Sequence, residues 1–127
     1  MKIELDDAPS EKYRIAAYSS DGLVINETLY AGSLVITPEA IINDWPPRTV
    51  ADLTTGHIQT LVEHEPEVLL LGTGARLQFP ANQVLEPLLQ GNIGFEVMDT
   101  GAACRAYNFM MGEGRRVVAA LLRIEQD

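Results

Sequence analysis

Few residues in this chain belong to types that do chemistry. Cys104 sits beside Arg105 near the start of a predicted helix, a setting that lowers a thiol pKa and favours the thiolate. It is the chain's one cysteine, so neither a redox pair nor an intrachain disulfide can form. The two histidines, His57 and His64, are the usual bases, and no local pattern sets either beside it. The helix around Cys104 carries Ala102, Ala103, Phe109, Met110 and Met111, which makes the thiol read as a buried core residue. His57 and His64 are seven residues apart on one predicted helix, a rise of about 10 Å and too far for one metal ion to bridge. No metal site and no cofactor is expected.

Gly72-Thr73-Gly74 follows a continuous apolar run, as a dinucleotide-binding turn would. The third glycine of that fingerprint would fall at 77, which is Leu77, and Pro80 intervenes before a helix could begin. The element therefore reads as a tight turn. The densest polar cluster is Asp99-Thr100, Arg105, Tyr107-Asn108 and the stretch Glu113 to Arg116. Arg105 and Asn108 share a helix face, and Asp99 and Thr100 can cap that helix. In open α/β sheets, ligands sit beyond the carboxyl ends of strands. The turns at Gly72–Gly74 and Asp99-Thr100 both follow predicted strands and fall on one edge if those strands are parallel. Two readings stand: capping and packing, or a pocket.

The elements that must position these residues follow from periodicity. Residues 1–12 are polar and read as a loose lead-in. Tyr13–Ser19, Leu23–Ile25 and Ser33–Ile36 are predicted as an antiparallel β meander, with a hairpin turn at Asp21-Gly22. Asn43 to Pro47 is irregular, because two prolines remove donors and fix φ. Thr54 caps a predicted helix running to about Glu65, before Pro66. Val68–Leu71 is a strand buried on both faces. A helix near Asn82–Gln90, a strand at Phe95–Met98, a helix from Asp99 to about Gly112 and a strand at Val117–Leu122 complete the chain. Gly112-Glu113-Gly114 can end the last helix through a left-handed cap. Alternating strands and helices predict a three-layer α/β core. No linker or repeat interrupts it, so one domain over residues 1–127 is expected.

The 127 residues carry 18 acidic and 9 basic side chains, a formal net charge of −9. Residues 1–67 hold 12 acidic and 4 basic residues, and residues 68–127 hold 6 and 5. The five cations of the second part are all arginines: Arg76, Arg105, Arg115, Arg116 and Arg123. An acidic surface is repelled by phosphate backbones and anionic lipid, so nucleic acid is not an expected partner. The apolar runs fall far short of the roughly 20 residues of a membrane helix, and the first residues lack a signal-peptide core. A cytoplasmic location is expected.

The runs Glu96-Val97-Met98-Asp99-Thr100, Ala103-Cys104-Arg105-Ala106-Tyr107-Asn108 and Glu113-Gly114-Arg115-Arg116-Val117, with Leu70 to Gly74 and Trp45, carry a resemblance. The chain resembles the Mth-type domain family of unknown function, which includes the mitochondrial complex I assembly factor 3 and an adipogenesis-associated protein. The resemblance spans nearly the whole chain. It implies a central mixed β-sheet with helices on it and the N-terminal β-structure packed alongside. It implies no established activity. It implies importance for Gly72, Gly74, Asp99, Thr100, Arg105, Tyr107, Asn108, Gly114 and Arg115. The family often has threonine where this chain has Ala106, so no role needing a hydroxyl there is carried over.

Three functions follow as expectations. The first is a non-catalytic binding or assembly factor whose partner is a respiratory complex subunit or assembly protein, as the resemblance implies. The second is a small-molecule-binding domain or enzyme. Its anionic ligand would be held by candidates among Gly72, Thr73, Gly74, Asp99, Thr100, Arg105, Tyr107, Asn108 and Arg115. The third is that this polar cluster only holds the fold together. No catalytic constellation is complete, which favours the first reading over an enzyme.

Overall fold

The computed structural model describes residues 12–125, so all but the end of the predicted lead-in lies outside the described residues. Strands β1 (Ile15–Ser19), β2 (Gly22–Ile25) and β3 (Thr28–Tyr30) form an antiparallel three-stranded sheet. Strands β4 (Leu34–Thr37), β5 (Ala40–Ile42), β6 (Val68–Gly72), β7 (Gly94–Met98) and β8 (Val117–Leu121) form a second sheet in the order β5-β4-β8-β6-β7. In it β6 runs parallel to both β7 and β8, and β4 runs antiparallel to β8 and β5, so this sheet is mixed. Helices α1 (Thr55–Val62), α2 (Glu86–Gln90) and α3 (Thr100–Gly112) complete the fold, with a 3-10 turn at Val50–Asp52.

The apolar runs explain the layering. Successive side chains of a strand point to opposite faces, so a strand covered on both sides is apolar throughout. On one face Val68 and Leu70 of β6 join Leu34 and Ile36 of β4 and Val117, Ala119 and Leu121 of β8. Ala103, Cys104 and Tyr107 of α3 and Ile15, Leu23 and Ile25 of the small sheet cover that face. On the other, Leu69, Leu71, Val35, Val118 and Ala120 pack under Ile58 and Leu61 of α1, Leu88 of α2, and Trp45, Leu53 and Leu85. The three-layer α/β arrangement with the N-terminal strands alongside is as expected.

Four local expectations are corrected. The third strand of the meander is Thr28–Tyr30, while Leu34–Thr37 belongs to the central sheet. Asn26, at φ +54°, makes a two-residue turn with Glu27 that returns the chain at once. Leu34, Val35 and Ile36 are all buried and therefore need a two-faced sheet. Ser20 and Asp21 make the first hairpin turn, because Ser19 pairs with Gly22. Gly22 opens β2 at φ +139°, where a Cβ would collide with the Tyr30 carbonyl. The helix expected from Asn82 begins only at Glu86, since Pro87 lacks an N–H and fits the first turn of a helix. Helix α1 ends at Val62 rather than near Glu65, which itself sits at φ +53°.

Candidate functional site

Because β6 and β7 are parallel, the turns that follow them meet on one edge of the sheet, beside the end of β8. Five hydrogen bonds join them. Thr73 N–H donates to Met98 C=O at 2.8 Å, and Thr100 N–H donates to Gly74 C=O at 2.9 Å. Gly74 N–H donates to Thr100 Oγ1 at 2.8 Å, and that hydroxyl donates to Leu122 C=O at 2.7 Å. Leu122 N–H donates to Gly72 C=O at 2.9 Å. Thr100 is fully buried. A Cβ at Gly72 would lie 2.9 Å from Thr100 Cα, so glycine is what lets the two turns touch. The Thr73 hydroxyl is engaged too, donating to Arg76 C=O at 2.5 Å and accepting from Gln78 N–H at 3.1 Å.

Asp99 is the N-cap of α3, its Oδ1 accepting from Ala102 N–H at 2.8 Å. Two residues on, Gly101 packs its backbone against Tyr18 of β1, where a Cβ would come within 2.7 Å of Tyr18 Cε1. Arg105, exposed one turn later, donates to the Tyr18 hydroxyl and holds its guanidinium carbon 5.9 Å from the ring centroid. A hollow of about 300 Å³ between the two turns is lined by Tyr18, Gly74, Asp99 and Gly101.

Further along α3, polar groups clamp the small sheet. The buried Tyr107 donates its hydroxyl to Tyr13 C=O at 2.6 Å. Asn108 donates from Nδ2 to Ile15 C=O at 2.8 Å and accepts from Ile15 N–H at 2.9 Å. Burial, with a smaller contribution from Glu39, pushes the Tyr107 phenol above its ordinary pKa. Burial also pushes the Cys104 thiol up to about 12, outweighing the pull of Arg105; Asp99 adds to the rise. Cys104 therefore carries a proton at neutral pH and packs as an apolar group.

Of the residues singled out in the sequence, the structure brings Gly72, Thr73, Gly74, Asp99 and Thr100 to one edge, with Arg105 linked to it through Tyr18. Tyr107 and Asn108 face β1. Arg115 is set apart: it precedes β8 at the opposite edge, its Nε 3.7 Å from Glu67 Oε2. There it lines a cavity of about 310 Å³ with Lys12, Glu39, His64, Arg116 and Val117. Tyr18 and Gly101 escaped the sequence reading, because their meeting depends on where β1 lies over α3. Arg48 was missed as well, although it shares a cleft with Arg76 and Arg123. The signal available for the latter pair was position: each follows a buried strand within four residues.

A family model described as a protein of unknown function, DUF498/DUF598, matches residues 15–122. A zebrafish (Danio rerio) protein named NADH dehydrogenase [ubiquinone] 1 alpha subcomplex assembly factor 3 is 37% identical over 110 residues, covering 85% of this chain and 63% of that protein. The chain thus spans less than two-thirds of that relative's length. A crystal structure of a Bordetella parapertussis protein superposes with a TM-score of 0.84 at 37% identity, covering 91% of this chain and 99% of that one. A solution structure of a Bordetella pertussis protein, described as a Mth938-like domain, gives a TM-score of 0.80 at 31% identity, covering 100% and 95%.

Proposed function

The chain belongs to the DUF498/DUF598 family, and on that footing we propose that it is a non-catalytic binding protein that assists assembly of an NADH dehydrogenase of the respiratory type. The observation that carries this reading is the 37% identity, over 85% of the chain, to a relative named as such an assembly factor. The site geometry supports it. The hydroxyl of Thr100, the carboxylate of Asp99, the amide of Asn108 and the phenol of Tyr107 all bond within the protein. Such groups hold surfaces in place rather than turn over a substrate. A partner would be met through exposed side chains instead, among which Phe79 and Phe109 are the most apolar and open, 71% and 67% exposed. Exposed aromatic residues are over-represented where proteins meet. The protein works from the cytoplasm in this reading, and no helix among the described residues is long and apolar enough to cross a membrane.

The test is a tagged copy expressed in the native host, captured from the detergent-solubilised membrane fraction and read by mass spectrometry. Enrichment of NADH dehydrogenase subunits or their assembly proteins supports the reading. Deletion of the gene with no change in the content or activity of that complex, together with an empty capture, overturns it.

A further inference from the structure

The central sheet ends in two edge strands, β5 and β7, and the small sheet ends in β1 and β3. An edge strand offers a row of unmet N–H and C=O groups, and proteins ordinarily blunt it. Three of these four edges are blunted. Strands β3 and β5 are only three residues long. Strand β1 has an irregular register between Ile15 and Ala17, and the Asn108 amide occupies both the N–H and the C=O of Ile15. Strand β7 has five residues and no proline, and its register with β6 is unbroken from Gly94 to Met98. We propose that β7 is a docking edge that takes up an extended segment of a partner protein, one that reads apolar–basic–apolar where it passes Glu96. This holds whether or not that partner belongs to an NADH dehydrogenase.

The backbone is the first support. Thr73 N–H donates to Met98 C=O. In a parallel ladder the N–H and C=O of one residue point to the same side, and successive residues alternate. Gly94, Glu96 and Met98 therefore turn theirs to β6, and Phe95 and Val97 turn theirs outward. Groups at this spacing are matched by another extended backbone. Every residue of β7 is half-buried or exposed, whereas β6 and β8 are buried throughout. Among the described residues, no strand lies beyond β7.

The flanks are the second support. On the side of α1 and α2, Ile93, Phe95 and Val97 are half-buried against the core. On the other side is α3, which packs on β6 and β8 and reaches β7. Its Gly101, Arg105 and Asn108 meet the small sheet. At about 100° per residue, Ala106 and Met110 fall on the opposite flank of the helix. Both are half-buried, as is Met98, and Phe109 beside them is 67% exposed. An incoming strand therefore finds apolar surface above and below the sheet.

Glu96 decides what the occupant is. It is exposed, it is the one charged residue of β7, and alternation puts it on the face of Met98. A second copy pairing β7 with β7 meets a penalty. The antiparallel register that uses all four outward groups sets Phe95 against Val97 and brings the two Glu96 side chains opposite each other. Like charges directly opposite across a ladder are destabilising. A segment with Lys or Arg at that point gains an opposite-charge pair instead. Its neighbours on either side then fall on the face of Phe95 and Val97, which calls for apolar residues.

Nuclear magnetic resonance titration of the isotope-labelled full chain with the capped peptide Ser-Thr-Val-Lys-Val-Thr-Ser tests this. The peptide reads the same in both directions, so it serves parallel and antiparallel pairing alike. Saturable shifts are expected, largest at the amides of Phe95 and Val97. Glu96→Lys should weaken this peptide about fivefold and strengthen binding of the version with Glu in place of Lys. Asp21→Lys, the same change of charge on the small sheet, should leave binding unchanged. The peptide N-methylated at Lys and both Val residues keeps its side chains, loses the ladder and should not bind. Glu96 and Asp21 are exposed, so neither substitution strips the core, and circular dichroism checks that both variants fold. No shift at Phe95 and Val97 with peptide in the millimolar range overturns the proposal. So does equal binding of the methylated peptide, or equal weakening by Asp21→Lys, which would mean diffuse attraction to an acidic chain. A free protein that sediments as a dimer, with those two amides protected from exchange, would give the edge to a second copy and overturn it as well.

Discussion

Thr100 and Gly74 bond to each other twice: the Thr100 amide donates to the Gly74 carbonyl, and the Gly74 amide donates to the Thr100 hydroxyl. The same hydroxyl donates onward to Leu122. One buried oxygen therefore joins the exits of β6, β7 and β8.

Thr100→Val keeps the shape of that side chain and removes its polar atom. The Gly74 amide and the Leu122 carbonyl then lose their partner in a dry setting. At about 1–3 kcal/mol for each unsatisfied buried group, a loss of about 3 kcal/mol is expected. Thr100→Ser retains the hydroxyl and gives up one methyl, so it should cost about 1 kcal/mol. Urea unfolding of the two variants checks the order. Equal losses would mean that packing, not the shared hydroxyl, holds this edge.

Asn108 clamps Ile15 through both ends of its amide, tying α3 to the small sheet across 93 residues of sequence. Asn108→Leu preserves volume and removes both bonds. A global loss of about 2 kcal/mol is expected. The local effect should be larger: amide hydrogen exchange of β1 and β2 should rise well before that of β6 and β8. Uniform acceleration throughout would show that the small sheet and the central sheet open as one unit.

What the sequence disclosed, and what it hid, divides by distance along the chain. The Asp99 cap, the Thr54 cap and the buried β6 are set by neighbours within a few residues, and each was legible. The run Val68–Leu71 reads as two-faced because its alternate residues enter different cores. Leu34–Ile36 carries the same kind of pattern, yet its sheet was misassigned. Pairing with Leu121, Ala120 and Ala119 decides that, and no local pattern encodes it. The candidate site divides likewise. The meeting of Gly72–Gly74 with Asp99-Thr100 followed once two strands were taken as parallel. The targets of Tyr107 and Asn108, and the convergence of Arg48 with Arg76 and Arg123, needed the topology.

Cys104 makes a prediction about pH. Burial raises its pKa from 9.0 to about 12, so the folded state favours the protonated thiol. A group whose folded pKa is raised contributes its stability in full below the unfolded value and loses it as pH climbs through the folded one. Wild type should therefore lose stability between pH 9 and about 12. Cys104→Ala should be less stable at pH 7, through the small cavity it leaves, but its stability should fall less steeply over that window. The phenol of Tyr107, also raised, is common to both proteins, so the difference between their slopes isolates the thiol. Parallel curves would count against the burial of the thiol. An alkylating reagent at pH 8 gives a second check: labelling of the native protein should be far slower than in urea.

Arg105 separates stability from recognition. It is exposed, its bond to the Tyr18 hydroxyl lies at the surface, and its guanidinium stands beside the ring rather than under other side chains. Exposed hydrogen bonds and cation–π contacts of this kind contribute about 0.5–1 kcal/mol. Arg105→Ala should thus cost no more than about 1 kcal/mol in urea unfolding. Because the fold survives, the variant can be carried into the capture experiment without confounding it. Loss of partner enrichment with stability retained would place Arg105 and Tyr18 in the docking surface. Enrichment equal to wild type would confine this pair to fastening α3 onto β1 and leave recognition to other faces. A loss above about 2 kcal/mol would contradict its exposed placement and show that it holds the small sheet far more strongly than one surface contact can.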